Sequence, residues 1–176
     1  MECVTSSFVK AVSEPFHFLI RQYEFMRTYQ AEKLVIYESD KVFVKIGHDW
    51  KSFELSLSIG LLSSQVKTGF GFEYVIQLSD SEQAKRFRYP IAFNDAQIKE
   101  GLLELATLLR QYGDAVLRGD PKAFERMLAF SEAYWAKDPA ERHRESEDSW
   151  ADYGARYEKK LQEAKNAEQK TSNDKQ

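Results

Sequence analysis

The side chains best suited to acid–base chemistry or metal binding are three histidines, which stand in unrelated contexts. His17 lies in an apolar stretch, where a satisfied core or rim histidine is expected, and His143 lies among charged residues, where it should be solvated. His48 is followed by Asp49, and a carboxylate beside an imidazole can orient it as a general base. Adjacent side chains seldom face each other, so an ordinary polar turn is the favoured interpretation of this pair.

Motifs that bind phosphates, metals or acyl groups are absent from the sequence. It has no glycine-rich phosphate loop followed by Lys and Ser or Thr, no GxSxG, no HExxH and no CxxC. Cys3 is the single cysteine, which excludes an intrachain disulfide and a cysteine-based zinc site. Glu38 and Asp40 flank one predicted turn and Asp49 lies in the next, at the opposite end of the strand between them, so they cannot form a catalytic pair. We therefore predict a non-enzymatic protein without a cofactor or metal.

Three short β-strands between residues 33 and 62 position these turns. Ser39 and Asp40 have the composition of a tight hairpin turn, and residues 47–51 form a longer one. Residues 25–30 are a candidate additional first strand. Apolar side chains occupy every second position of the last two strands and predict one dry face: Val42, Val44, Ile46, Phe53, Leu55, Leu57 and Ile59.

The first 24 residues predict a helix that covers the dry face of this sheet. The apolar residues between positions 6 and 24 are dense enough for a broad helical face. Because proline is tolerated in the first turn of a helix, Pro15 favours a helix that begins near Glu14 with Ser13 as N-cap, after a short separate turn.

Two further helices are predicted after residue 93. Asn94 is the expected N-cap of the first, which ends at Gly113, and Asp120 is the N-cap of the second, which begins at Pro121. A short link between them predicts an antiparallel helical hairpin. The side chains expected to point inward from the second helix are Phe124, Met127, Leu128, Ser131, Tyr134 and Trp135.

The segments between the sheet and these helices have weaker patterns. Residues 70–78 are apolar without a clear period, so helix and strand both remain open there. Residues 79–86 are polar and are predicted as a loop. Residues 87–93 form an extended link, because Pro90 disfavours a helical conformation at Tyr89.

The composition changes at Asp138, after which most residues are charged or small and polar. Residues 1–137 are therefore predicted as a single α+β domain, and residues 138–176 as a charged, partly helical and partly disordered C-terminal extension. The extension carries a thin stripe of Trp150, Tyr153, Tyr157 and Leu161. A solvated helix lying across the domain is the favoured interpretation, and a partner-binding helix is the alternative.

The fold class predicted from these elements is α+β: an antiparallel three- to four-stranded meander packed against an N-terminal helix and a C-terminal helical hairpin, with a charged helical tail. The net charge of −3 and the pI near 5.7, with no block of Lys or Arg, argue against nucleic acid as a partner. No secretory signal or run of about 18 apolar residues is present, so we expect a cytoplasmic protein without a membrane partner.

Surface aromatic residues remain as the candidate site. Tyr37, Phe43 and Trp50, with Lys45 and Glu54, are candidates for the sheet face away from the helices, where an aromatic patch with a charged rim is typical of protein binding. Alternatively, another segment, such as residues 70–78, covers these aromatics. The candidate partner-binding residues are Tyr37, Phe43, His48, Asp49, Trp50, Trp150, Tyr153 and Tyr157.

The order of the N-terminal helix, the strands YESDKVFVKI and SFELSLSIG, and the helical stretch LLELATLLRQYGDAVLRGDPKAFERM resembles a group of small uncharacterised bacterial proteins. More loosely, it resembles immunity proteins of bacterial toxin systems. The resemblance covers residues 7–135, excludes the tail and implies an acidic inhibitor that binds another protein. The alternatives are a small acidic export or assembly chaperone, and a small-ligand binder or enzyme with residues 48–50 at its mouth.

Overall fold

The computed structural model describes residues 7–63 and 69–173. They form five strands and eight helices. The strands are β1 (Met26–Ala31), β2 (Leu34–Glu38), β3 (Val42–His48), β4 (Leu55–Leu61) and β5 (Phe70–Gly71). The helices are α1 (Ser7–Ser13), α2 (His17–Tyr23), α3 (Phe72–Gln77), α4 (Ser81–Arg86), α5 (Asp95–Tyr112), α6 (Asp114–Leu117), α7 (Pro121–Ala136) and α8 (Pro139–Asn173).

The five strands form one antiparallel meander in the order β1-β2-β3-β4-β5. The candidate first strand is confirmed as β1. The edge strand β5 brings the sheet to five strands, so the predicted count of three to four is too low. The hairpin turn after β2 is also confirmed, because the hydroxyl of Ser39 accepts hydrogen bonds from the backbone N–H groups of Lys41 and Val42 at 3.3 and 3.1 Å.

One face of the sheet lies in the core, as the alternation predicts. Leu55, Leu57 and Ile59 of β4 are almost completely buried, as are Val44 and Ile46 of β3. Each such aliphatic side chain contributes about 1.5–3 kcal/mol when it is fully removed from water. The other side of this core consists mainly of side chains from helices, together with Phe16 from the turn between α1 and α2. The helical residues are Phe8, Val12, Leu19, Leu102, Leu105, Leu109 and Met127.

The N-terminal segment forms two short helices rather than one that begins near Glu14. Ser13 is the last residue of α1, and its hydroxyl donates to the carbonyl of Val9 at 2.8 Å instead of capping a following helix. α2 begins only at His17. The expectation was wrong because apolar residues before Pro15 were sufficient to form a helix that packs on α5 and β2, and Pro15, which lacks an N–H group, then interrupts it.

The chain between β5 and α5 is more helical than predicted. Residues 70–78 contain both open alternatives, since a two-residue strand leads directly into α3. The loop predicted for residues 79–86 is wrong, because residues 81–86 form α4. Its N-cap is Asp80, whose carboxylate accepts a hydrogen bond from the backbone N–H of Gln83 at 2.9 Å.

The N-caps predicted for the two long helices are confirmed. Asn94 accepts from the N–H of Gln97 at 2.9 Å, and Asp120 accepts from the N–H of Lys122 at 3.0 Å. The short α6 lies between α5 and α7, however. α5 packs mainly on α1 and β4, whereas α7 packs on α3 and α6, so the antiparallel hairpin is not a main contact of the fold.

Two side chains of α7 do not point inward as predicted. Leu128 and Trp135 are 46% and 64% exposed. The buried stripe of this helix is narrow and consists of Ala123, Phe124 and Met127, so residues one position beyond it already face solvent. Within the described part of the chain, no helix has both the length and the apolar character needed to cross a membrane.

Candidate functional site

The turn between β3 and β4 is organised by the carboxylate of Asp49. Its Oδ1 accepts hydrogen bonds from the backbone N–H groups of Lys51 and Ser52, both at 2.7 Å, and from the hydroxyl of Ser52 at 3.2 Å. These donors lower the pKa of Asp49, because they stabilise its charged form. The turn holds Trp50 at its tip, where the indole is 66% exposed and lies 5.0 Å from the Nζ atom of Lys51.

The imidazole of His48 lies below this turn and is 9% exposed. Its ring stacks on Phe8 with 6.1 Å between centroids, and its Nε2 atom lies 3.0 Å from the carbonyl oxygen of Ala92. Because a carbonyl only accepts, Nε2 carries the proton in this contact. Burial lowers the pKa of His48. Both members of the candidate His48–Asp49 pair therefore hydrogen-bond to the backbone around them, and these bonds hold the turn in place.

A cluster of aromatic rings connects the turn to α8. Phe53 packs on Phe93 at 4.7 Å and on Tyr157 at 6.2 Å, and Phe93 and Tyr157 are 4.9 Å apart. Phe53 was predicted to continue the alternation of β4, but it precedes the strand and has a φ of 56°. A left-handed conformation costs about 1–2 kcal/mol for a residue with a Cβ atom, so the contacts of its ring with Phe93 and Tyr157 must offset this cost. We call Phe53, Phe93 and Tyr157 the aromatic seam.

The long helix α8 is fastened beside the aromatic seam by polar contacts with the backbone. The hydroxyl of Tyr153 donates to the carbonyl of Ser52 at 2.7 Å, and the guanidinium of Arg156 donates to the carbonyl of Tyr89 at 2.9 Å. The side chain of Gln97 accepts from the N–H of Phe93 and donates to a backbone carbonyl of α8, both at 2.9 Å. The favoured interpretation of the tail, a helix across the domain surface, agrees with these contacts.

Acidic and basic side chains border the docked helix in nearly equal number. Asp152 contacts Arg88 and Arg156, each at 3.0 Å, and Arg156 lies 4.0 Å from Glu54. Burial raises the pKa of Glu54, and the positive charge of Arg156 opposes that rise. Lys160 contacts Glu100 at 3.4 Å. Partly exposed pairs of this kind contribute about 0–1 kcal/mol each, so the aromatic seam and the backbone hydrogen bonds carry more of the docking energy.

Two exposed tryptophans lie close to the contact between Tyr153 and Ser52. Trp150, on α8, is 67% exposed and its ring lies 5.7 Å from that of Tyr153. Trp50 lies two residues before Ser52. We call Trp50, Trp150 and Tyr153 the tryptophan patch. Indole rings so exposed to water bury a large apolar area when a partner covers them.

Six of the predicted partner-binding residues are brought together here: His48, Asp49, Trp50, Trp150, Tyr153 and Tyr157. The other two lie elsewhere and are buried, since Tyr37 is 1% and Phe43 is 8% exposed. A Cβ atom on Gly60 or Gly69 would lie 2.5 or 3.0 Å from the ring of Phe43, so that ring lies directly on these glycines. Other parts of the chain therefore cover Phe43, in agreement with the alternative interpretation. Tyr37 pairs with Val44 and lies on the core face of the sheet, so its predicted place on the face away from the helices is wrong.

The sequence prediction missed Phe93, Gln97 and Arg156 as contacts of the tail. Arg156 does follow Tyr153 at helical spacing, which was an available signal. Phe93 and Gln97 flank the N-cap Asn94, but no local pattern shows that a distant helix contacts them.

No group of three or more His, Cys, Asp or Glu side chains that could hold a metal ion occurs in residues 7–63 and 69–173. A cavity of about 500 Å³ lies between α1 and α5, lined by residues such as Lys10, Glu14 and Lys99, and a smaller one lies beside α7. Neither cavity is lined by His48, Asp49 or Trp50.

Fold and site together define an α+β domain with a five-stranded antiparallel meander and a long C-terminal helix docked through a narrow aromatic stripe. The chain matches no family model, no curated protein and no solved structure.

Proposed function

We propose that this protein is a non-enzymatic interaction module that binds another protein through the tryptophan patch. The observation that carries the proposal is the pair Trp50 and Trp150, each about two-thirds exposed and each close to the hydrogen bond between Tyr153 and Ser52. Tryptophan and tyrosine are enriched among the residues that dominate binding energy at protein interfaces. The turn and α8 hold the patch through hydrogen bonds and ring contacts, so little ordering entropy is lost on binding.

The proposal extends to an immunity-type inhibitor that binds and blocks a bacterial toxin in the cytoplasm. It is supported by the net charge of −3, by the single cysteine and by the resemblance of residues 7–135 described above. The side chains of His48 and Asp49 are both hydrogen-bonded to the backbone. This supports the proposal that the pair has a structural role and that the protein is not an enzyme.

The binding proposal is tested by purifying the full chain, tagged, from the cells that naturally make it. Light scattering measures the mass of the eluted species, and mass spectrometry identifies any second polypeptide. The double variant Trp50→Ala, Trp150→Ala is compared with Met26→Ala, whose side chain is 70% exposed. Met26 pairs with Glu38 at the other end of the sheet, which makes it a matched apolar control.

We expect a stoichiometric second polypeptide with the unaltered protein and with Met26→Ala. The double variant should weaken this complex by about 30-fold or more, the effect of losing about 2 kcal/mol at an interface hot spot. A lone monomer or homodimer, or a complex that the double variant leaves intact, would contradict the proposal. For the inhibitor, co-expression with a candidate toxin must give both a complex and protection of the cell.

A further inference from the structure

An apolar cavity of about 280 Å³ opens between the end of β4, β5 and the first turns of α7. Its walls are formed by Leu61, Phe70, Pro121, Phe124 and Leu128. The cavity and the tryptophan patch lie at opposite ends of β4. The strand begins at Leu55, which pairs with His48 beside the patch, and it ends at Leu61, which lines the cavity and pairs with Val42. The site therefore does not depend on the function proposed above.

The size of the cavity limits what can enter it. A cavity of about 150 Å³ is enough for benzene, and drug-sized ligands occupy about 300–1,000 Å³. A volume of 280 Å³ therefore suits a group of one or two rings or a branched aliphatic chain. The walls offer such a group dispersion contacts and removal from water, but few hydrogen bonds.

One charged residue, Glu125, also lines this cavity. It is exposed, and its carboxylate forms no ion pair with other residues in the described part of the chain. A carboxylate beside an apolar cavity favours a ligand with a cationic group next to its apolar portion, since opposite charges attract and like charges are rejected.

The apolar wall continues from the cavity onto the outer surface. Leu128 lines the cavity and is still 46% exposed, and Leu61 and Phe70 are partly exposed. A small molecule inside the cavity would leave these surfaces in water. A polypeptide that inserts one side chain and lies across α7 would cover them.

We propose that this cavity receives a bulky apolar side chain of a partner polypeptide, with an adjacent lysine or arginine of the partner placed against Glu125. The binding energy comes from burial of the inserted side chain and of Leu128, and the charge of Glu125 selects the basic neighbour. Such an arrangement, an anchor in a pocket with a charged rim, is typical of protein interfaces.

The test uses NMR of the full chain with labelled leucine methyl groups. The probes are N-acetyl-Trp-Lys-amide, N-acetyl-Trp-Glu-amide and free indole, each titrated to about 10 mM because fragments of this size bind weakly. We expect the Trp-Lys peptide to shift the methyl signals of Leu61 and Leu128. The signals of Leu161, on α8 and outside the linings of both cavities, should not move.

Charge selection is tested with Glu125→Lys against Glu132→Lys, an exposed carboxylate two turns further along α7 and outside the cavity lining. The unaltered protein and Glu132→Lys should bind the Trp-Lys peptide about threefold more tightly than the Trp-Glu peptide, the size of one exposed ion pair. Glu125→Lys should lose or invert this preference.

Three results would overturn the proposal. The first is the absence of methyl shifts at Leu61 and Leu128 with the Trp-Lys peptide. The second is equal binding of the two peptides by the unaltered protein. The third is binding of free indole as tight as that of the Trp-Lys peptide, which would assign the cavity to small molecules instead.

Discussion

Replacing Tyr157 with alanine should release the middle of α8 from the domain. The ring of Tyr157 meets Phe53 at 6.2 Å and Phe93 at 4.9 Å, and both partners lie outside the helix. Each aromatic pair contributes about 0.5–1.5 kcal/mol, so the substitution removes about 1–3 kcal/mol. Alanine regains about 0.5 kcal/mol through its higher helix propensity. We therefore expect docking of α8 to weaken by about 1.5 kcal/mol.

Hydrogen–deuterium exchange of residues 153–164 measures this loss directly. Because 1.4 kcal/mol corresponds to a factor of ten, opening of α8 should become about tenfold more frequent. If α8 unfolds together with the domain, the melting temperature should fall by about 3–6 °C. Tyr157→Phe keeps both ring contacts and should behave like the unaltered protein.

The matched control is Trp150→Ala on the same helix. Trp150 is 67% exposed, and its ring contact is with Tyr153 of the same helix, so its loss should change the docking of α8 by less than about 0.5 kcal/mol. The reasoning is refuted if Tyr157→Ala leaves both exchange and melting unchanged, or if Trp150→Ala costs as much as Tyr157→Ala.

Three further predictions concern stability. Burial lowers the pKa of His48, so as the pH falls below about 6.5 the unfolded chain binds a proton that the native protein does not. Denaturant titrations at several pH values should therefore show that the unfolding free energy decreases as the pH falls towards the native pKa of His48. The variant His48→Gln should lack this decrease, and an equal decrease in that variant would contradict the assignment to His48. Gln97→Ala leaves the N–H of Phe93 without its partner and should lower the unfolding free energy in urea by about 1–3 kcal/mol. The control is Gln162→Ala, whose amide hydrogen-bonds within α8; an equal decrease for this variant would argue against a specific role of Gln97. A Cβ atom on Gly154 would meet nothing within 4 Å, and alanine favours a helix more than glycine does. Gly154→Ala should therefore slow hydrogen–deuterium exchange in α8 by an amount equivalent to about 0.5–1 kcal/mol. Faster exchange would show that this part of α8 is not a regular helix.

Much of the fold is predictable from local patterns. Alternation identifies β3 and β4, and Asn94 and Asp120 mark the starts of α5 and α7, because caps and periodicity act over a few residues. The failures have equally local causes. A short polar segment became α4 because Asp80 satisfies its first backbone donors, and a two-residue edge strand such as β5 is too short to produce a pattern.

The site was predictable only as two separate halves. Residues 48–50 and the Trp150, Tyr153 and Tyr157 stripe were both selected from the sequence, but no local pattern shows that Tyr153 reaches Ser52, about a hundred residues away in the chain. Burial of Phe43 was equally hidden, since its ring lies on Gly60 and Gly69, whereas burial of Tyr37 follows from its register opposite Val44. Such contacts are decided by tertiary packing, which alternation and capping do not encode.

The most direct test of the proposed binding surface compares the three tryptophans by oxidative footprinting. Trp50, Trp150 and Trp135 are 66%, 67% and 64% exposed, so in the purified protein they should be labelled to a similar extent. In an extract of the native cells at the natural protein concentration, we predict that labelling of Trp50 and Trp150 falls while that of Trp135 does not change. Equal labelling of all three in both samples would contradict the assignment of this surface to partner binding.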